Sequence, residues 1–159
     1  MNKMQKIITA KQCIEEERAE REQLKIVLNK AEQIVRKAHE GQKRKDKVTP
    51  YIVHPEAVAM ACNDIKCKIV AWLHDVIEDT SIGCYELVNK GIPINLVKSV
   101  VIISKLEDEN YRDYILRVQR DEIARLVKIE DLKHNLSDLK PGNMRDKYLL
   151  ALYILEGKK

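Results

Sequence analysis

The chain has 159 residues, of which 45% are hydrophobic and 34% are charged, with five glycines, four prolines and no phenylalanine. This length is typical of one domain, and the scarcity of glycine and proline favours helices over strands or disorder. The net charge of +4 is too small to indicate nucleic-acid binding, which needs a clustered basic face, but it suits an anionic small molecule as a partner.

Cysteine spacing and hydropathy indicate the compartment. Cys13, Cys62, Cys67 and Cys84 have neither C-x-x-C spacing nor the density of a disulfide scaffold, which predicts reduced thiols. Residues 1–10 contain no apolar signal-peptide core, and no run approaches the ~20 apolar residues of a membrane span. These features predict a cytoplasmic protein with no membrane partner. They leave the oligomeric state open.

In chain order, the first predicted element is a long helix. Apolar residues recur at spacings of three and four from Leu24 to Ala38, which places them on one helical stripe. The highly charged stretch 15–22 upstream predicts a solvated surface. Gly41 ends the helix, and the charged segment 42–53 is typical of a loop.

The rest of the chain predicts further helices separated by turn residues. They are expected to open at His54-Pro55 and to cover Ile65–Ile77, Cys84–Asn89, Pro93–Ile103, Tyr111–Val118, Ile123–Leu139 and Met144–Leu155. No stretch alternates long enough to require a strand, so the predicted class is all-α. We expect residues 1–30 to form a charged helical extension that packs on a single domain of residues 31–159.

Four ionisable side chains interrupt an otherwise apolar segment at residues 71–80, which reads Ala-Trp-Leu-His-Asp-Val-Ile-Glu-Asp-Thr. Buried charge is costly unless it is paired or bound to a metal. On a helix, His74 lies four residues before Glu78, and Asp75 lies four residues before Asp79. All four side chains are therefore expected to share one patch.

Two distant residues can complete a metal site. His54 follows a basic loop, and Asp131 lies in the segment Val-Lys-Ile-Glu-Asp-Leu-Lys-His-Asn of residues 127–135. Together with His74 and Asp75 they supply two imidazoles and two carboxylates, a mixed set suited to Mn²⁺, Fe²⁺ or Zn²⁺. His39 and His134 occupy neither of these positions, and we expect them to be structural or supporting.

The ordered blocks His…His-Asp…Asp resemble the HD superfamily. The segments are Ala38-His-Glu-Gly-Gln42, Arg44-Lys45, Pro50-Tyr-Ile-Val-His-Pro55, residues 73–80 and residues 127–135. More narrowly, they resemble the hydrolase domain of RelA/SpoT-type enzymes and its small stand-alone relatives, over about residues 31 to 139. The chain departs from that pattern at residues 46–49, where the bifunctional members usually have a shorter segment, and at Glu130, where a small residue is usual.

The resemblance implies a compact helical HD bundle that hydrolyses guanosine 3′,5′-bis(diphosphate), the alarmone of the stringent response, and releases pyrophosphate. The roles it implies are ligation of one divalent metal, usually Mn²⁺, by His54, His74, Asp75 and Asp131; catalysis by Glu78 and Asp79; and substrate binding by Arg44, Lys45 and Asn135.

Two alternatives stay open at this point. The first is an HD phosphohydrolase that acts on another nucleotide, such as a dNTP or a reduced dinucleotide phosphate. The second is a nucleotide-binding module that keeps the fold without turnover. The presence of both Glu78 and Asp79 favours an enzyme over such a module.

Overall fold

The computed structural model describes the backbone of residues 3–157 and the side chains of residues 11–157. Its elements are α1 (Lys3–Ala38), α2 (Val53–Ala61), α3 (Ile65–Leu73), α4 (Val76–Asp79), α5 (Cys84–Asn89), α6 (Ile94–Ile103), α7 (Tyr111–Gln119), α8 (Glu122–Asp138) and α9 (Asn143–Glu156). The described residues contain no strand, only one isolated bridge between Lys43 and Pro50. The all-α prediction is confirmed.

Side-chain caps fix where several of these helices begin. Asp64 accepts hydrogen bonds from the backbone N–H groups of Lys66 and Cys67 at 2.8 and 3.1 Å and so starts α3. Asp121 accepts from the backbone N–H of Ala124 at 2.8 Å and starts α8. An N-cap side chain satisfies amide groups that have no partner within the helix, so Asp64 and Asp121 fix where α3 and α8 begin.

Helix α3 forms the centre of the core. Its residues Ile69, Val70, Ala71 and Leu73 are fully buried, and α3 contacts α1, α2, α6 and α8. Lys66 and Lys68 at the start of α3 are partly exposed, whereas residues 69–73 are all buried and need other helices around them. The end of α3 therefore lies where several elements meet. Within the described part of the chain, no helix is long and apolar enough to cross a membrane.

Helix α1 packs on the core only through its second half. Val27, Ala31 and Val35 are buried, whereas the side chains of residues 11–23 are exposed. One ion pair, between Glu20 and Lys66 at 3.0 Å, joins the exposed part to α3. The helix runs without a break through the predicted boundary after residue 30, so that division stays a prediction. Residues 1–2 and 158–159, at the ends of the two predicted segments, lie outside the described residues.

The single helix predicted over Ile65–Ile77 is wrong, because the structure divides it into α3 and α4. His74 and Asp75 form a turn between the two helices. The imidazole Nδ1 of His74 lies 2.7 Å from the carbonyl oxygen of Ala71, which is the oxygen that the next helical amide would otherwise use. The side chain thus competes with the backbone and interrupts the helix at the predicted metal ligands.

The four cysteines, Cys13, Cys62, Cys67 and Cys84, are all free thiols. Burial raises the pKa of Cys62 to about 12 and that of Cys67 to about 11. Both groups are therefore neutral thiols at physiological pH and are poor metal ligands in that form.

Candidate metal centre and its surroundings

Three buried side chains from distant parts of the chain converge at the end of α3. His54 on α2, His74 in the turn and Asp131 on α8 each direct one donor atom to a common point, and these atoms all lie within 4.8 Å of one another. Nε2 of His54 lies 3.2 Å from Nε2 of His74 and 3.0 Å from Oδ1 of Asp131. This is the one group of potential metal ligands found among the described residues.

Asp75 borders this group without belonging to it. Its Oδ2 lies 3.1 Å from Nε2 of His74 and 3.6 Å from Nε2 of His54. The structure thus brings together all four side chains that the sequence predicts as metal ligands, with three in mutual contact range and Asp75 at the edge. Their assignment as ligands stays a prediction.

The hydrogen bonds of the two histidines favour a cation between them. Nδ1 of His74 can only donate to the Ala71 carbonyl, so Nε2 of the neutral ring carries a lone pair that faces the cluster. Nδ1 of His54 lies 2.9 Å from Nδ1 of His134, and when it donates there its Nε2 is also free to bind. Two lone pairs and a carboxylate that face one another fit a divalent ion well.

Electrostatics around the cluster are dominated by its own charges. Burial disfavours charge on His74, but the carboxylates of Asp75 and Asp131 outweigh it and raise the His74 pKa well above its usual value. Burial also opposes ionisation of Asp131, yet Lys128 and the two imidazoles hold its pKa well below the usual range. The carboxylates are therefore ionised at neutral pH and available to a cation.

Both oxygens of Asp131 have a further partner. Nζ of Lys128 lies 2.7 Å from Oδ2, and the amide of Asn135 donates to Oδ1 at 2.6 Å. Lys128 also lies 5.4 Å from the ring centroid of Tyr114. Asn135, predicted to bind substrate, thus contacts a predicted metal ligand, and its substrate role stays a prediction.

The other two residues predicted to bind substrate lie on the loop before α2. Nη2 of Arg44 is 3.3 Å from Oδ2 of Asp138 at the end of α8, and Lys45 is exposed. Asp138 lies one turn after His134 on α8, so its partner Arg44 lies on the same side of α8 as that histidine. Burial lowers the pKa of His134, and the charges of His54 and Arg44 lower it further.

The two predicted catalytic carboxylates follow Asp75 on α4. Oε1 of Glu78 accepts the backbone N–H of Lys105 at 2.8 Å, and partial removal from water raises the pKa of Glu78 above its usual value. Oδ2 of Asp79 accepts a hydrogen bond from the Tyr51 hydroxyl at 2.8 Å. A raised pKa favours the protonated form of a carboxyl group, which is the form that can donate a proton.

Tyr51 is a site residue to which the sequence analysis gave no role. Its hydroxyl makes a very short contact with Oδ2 of Asp75 as well as the bond to Asp79. Its ring stacks on His39 with a centroid distance of 4.7 Å, and Nδ1 of His39 is held by Gln42 at 2.8 Å. Tyr51 lies before α2, and its contacts with Asp75 and Asp79 join distant parts of the chain, so helical spacing gave no signal for its role.

Lys128 was also given no role, whereas His134 was expected to be structural or supporting, in agreement with its 2.9 Å contact with His54. Each lies three residues from Asp131 on α8, one before it and one after it. Positions three apart share a helix face, so spacing alone could have placed both beside the metal centre.

Comparison with known proteins supports this description. No family profile matches the chain. It is 35% identical over 133 residues to the bifunctional (p)ppGpp synthase/hydrolase SpoT of Escherichia coli strain K12, which covers 74% of this chain and 18% of that protein. It is 36% identical over 127 residues to the guanosine-3′,5′-bis(diphosphate) 3′-pyrophosphohydrolase of Haemophilus influenzae, covering 70% of this chain and 18% of that protein.

This chain is related to the SpoT-type proteins. The predicted resemblance to the RelA/SpoT-type hydrolase domain is thereby confirmed. The chain spans less than a fifth of the length of these SpoT-type relatives.

A solved structure confirms the HD-domain fold. It is described as a metazoan ortholog of SpoT that hydrolyses ppGpp, and it superposes with a TM-score of 0.66 and 22% identity over 81% of this chain and 83% of that one. At this level of identity, the likeness to the SpoT ortholog establishes the fold alone.

Proposed function

We propose that this chain is a metal-dependent phosphohydrolase that removes pyrophosphate from guanosine 3′,5′-bis(diphosphate). The observation that carries the proposal is the convergence of His54, His74 and Asp131 within 4.8 Å, in a segment that matches relatives named for this hydrolysis. Asp75 lies against the same cluster and completes the proposed ligand set.

A divalent ion held by these four side chains, proposed to be Mn²⁺, would supply a Lewis acid that lowers the pKa of bound water from 15.7 towards ~7. The two carboxylates balance its charge. The buried imidazoles, oriented by Ala71 and His134, would give the ion nitrogen ligands that need little reorganisation.

Glu78 and Asp79 are the proposed proton carriers. Both lie on α4, directly after Asp75, and outside the group of converging donor atoms. The raised pKa of Glu78 suits a group that holds a proton at its Oε2 and passes it to a departing phosphate oxygen. Asp79, which accepts a hydrogen bond from the Tyr51 hydroxyl, is proposed to orient the attacking water.

Arg44 and Lys45 are proposed to bind the nucleotide. A guanidinium is a planar fork that grips phosphate or stacks on a base, whereas an ammonium is a point charge that suits a second phosphate. Arg44 contacts Asp138, one turn after His134 on α8, so a nucleotide held by Arg44 would present its phosphates towards the proposed metal centre. To bind the nucleotide, the Asn135 amide would either give up its hydrogen bond to Asp131 or donate its second N–H to the nucleotide.

We also propose a cytoplasmic location and a role in the stringent response. Free thiols and a nucleotide substrate both suit the cytoplasm. The absence of nucleic-acid and membrane partners stays a prediction, and the oligomeric state stays open.

The test of the proposed substrate is a nucleotide panel with Mn²⁺ that includes guanosine tetraphosphate, a dNTP and NADPH. We expect pyrophosphate release from guanosine tetraphosphate at a rate above that for the others. Turnover of another nucleotide, with guanosine tetraphosphate untouched, would contradict the proposal. Stabilisation by nucleotide without any turnover would instead favour a binding module.

The division of roles is tested with Asp75→Ala and Glu78→Gln. We expect Asp75→Ala to lose metal and activity together, because a ligand is removed. Glu78→Gln should retain metal, as measured by elemental analysis, but lose rate by about 10² or more. Glu107→Gln is the matched control, since Glu107 is exposed and lies on the neighbouring loop. Equal metal loss in Asp75→Ala and Glu78→Gln would overturn the assignment.

A further inference from the structure

A cavity of about 640 Å³ lies between α1, the loop after α4 and the end of α5. None of the four proposed metal ligands lines it. It is therefore separate from the metal centre, although Gln42 and Thr80 in its wall belong to the segments next to that centre.

Every charged side chain that lines this cavity is a lysine: Lys30, Lys37 and Lys90. None of the three makes an ion pair with a described residue. Nζ of Lys30 lies 3.0 Å from where a Cβ on Gly91 would be, so this ammonium rests against the backbone beside Lys90. All three lysines are exposed, so solvent screens their mutual repulsion, but together they give this concave surface a positive potential that attracts an anion.

We propose that this lysine cavity binds the polyphosphate group of a small molecule, either free pyrophosphate or a nucleoside polyphosphate. Lysine ammonium groups bind phosphate as point charges, and the Gln33 amide and the Ser81 hydroxyl in the same wall supply neutral donors. The volume falls within the range of about 300–1,000 Å³ typical of small-molecule sites. A concave site of this size favours a small molecule over a membrane surface or a nucleic-acid duplex.

A molecule bound in the lysine cavity would affect the position of Asp79, a proposed catalytic carboxylate, through Gln42. The Gln42 amide donates to the backbone oxygen of Asp79 at 3.3 Å, and Thr80 is the next residue. An occupant that contacts Gln42 or Ser81 therefore contacts the segment that carries Asp79. This coupling to catalysis rests on the proposed function, whereas binding itself does not.

The experiment measures hydrogen–deuterium exchange of the full chain, with its metal, as inorganic pyrophosphate or ATP is titrated. We expect slower exchange across residues 80–92 with either probe. Replacement of Lys30, Lys37 and Lys90 by Met should raise the half-effect concentration, which is the probe concentration that gives half of the maximal protection, by about tenfold or more. Each exposed charge contributes modestly to binding, but three are lost together. Tighter binding of ATP would show that the nucleoside is also recognised, and equal binding that the phosphates suffice.

A matched variant with Lys11, Lys68 and Lys98 replaced by Met loses the same charge elsewhere and should leave the half-effect concentration unchanged. Lys90→Met alone, at an exposed position, should give a smaller shift in the same direction if the triple variant fails to fold. Protection confined to residues 44–54 and 131–138, or an equal midpoint in the lysine-cavity variant, would overturn the inference. Hydrogen–deuterium exchange measures binding and does not require turnover. A chain without hydrolase activity that still shows protection at residues 80–92 would contradict the proposed function but support this binding site.

Discussion

The Tyr51 hydroxyl has one proton and contacts two carboxylates, those of Asp75 and Asp79. The hydroxyl can donate its proton to only one of these carboxylates at a time. Its oxygen then repels the oxygen of the other carboxylate, and a cation bound to Asp75 would weaken that repulsion. Burial and both carboxylates raise the pKa of Tyr51, which keeps the phenol neutral. Tyr51 therefore acts as a positioning residue between a proposed ligand and a proposed proton carrier.

Tyr51→Phe should lower kcat by about tenfold with little change in KM, because the ring still stacks on His39 but Asp79 loses a hydrogen bond. Steady-state kinetics with guanosine tetraphosphate measures both constants. Tyr85→Phe is the control, since Tyr85 is 76% exposed. An unchanged kcat in Tyr51→Phe would remove the hydroxyl from any role in catalysis.

Lys128→Met should destabilise the fold by about 3–5 kcal/mol, because it leaves the buried Asp131 carboxylate without its 2.7 Å partner. Lys128→Arg keeps the charge and should recover part of the loss. Urea unfolding of both variants beside Lys98→Met, a change on the surface, checks this. A stability loss in Lys128→Met no larger than in Lys98→Met would count against the ion pair.

At the scale of elements, Arg117 on α7 binds the carbonyl groups at the C-terminal end of α6. Its guanidinium donates to the carbonyl oxygens of Ile102 at 2.7 Å and Ser104 at 3.1 Å, and it pairs with Glu109 at 2.6 Å. These bonds satisfy carbonyls that a helix end leaves unpaired. They also fix the loop whose Lys105 N–H binds Glu78.

The Glu109 pair should make stability depend on pH in acid. The Arg117 hydrogen bond holds the pKa of Glu109 below its usual value, so the carboxylate stabilises the fold above its unfolded pKa. That contribution is lost as the pH falls through the lower, folded pKa. We expect the free energy of unfolding of the unmodified chain to fall more between pH 6 and pH 3, about the range of glutamate titration, than that of Glu109→Gln. The same dependence of the free energy of unfolding on pH in both chains would contradict a stabilising role for the Glu109–Arg117 pair.

Helical periodicity predicted most elements to within a few residues, including α5 at Cys84–Asn89. It failed at the turn between α3 and α4, because that break depends on a side-chain bond from His74 to Ala71 rather than on apolar spacing. The motif order selected four side chains that the structure brings together, although their role as metal ligands stays a prediction. The contacts of Tyr51 with residues 24 and 28 positions away depend on tertiary packing, which one sequence without structure does not reveal.

At the scale of the whole molecule, the metal centre joins α2, the α3–α4 turn and α8 around the buried core. An ion bound only by the folded chain stabilises it by about 2.7 kcal/mol at a concentration 100 times its Kd. We therefore expect Mn²⁺ to raise the Tm in a concentration-dependent way and EDTA to reverse it, as measured by calorimetry. Asp131→Ala should show no such shift, and an equal shift in that variant would place the ion elsewhere.

The exposed part of α1 has a mechanical consequence. The side chains of residues 11–23 face solvent along about 20 Å of continuous helix, at 1.5 Å of rise per residue. One residue inserted between positions 11 and 19 would rotate the part of the helix upstream by about 100° and shift it by about 1.5 Å along the axis, while the candidate metal centre stayed in place. The orientation of a fluorophore or fused domain attached upstream of residue 11 would therefore change by about 100° with each inserted residue, while the helical core kept its structure.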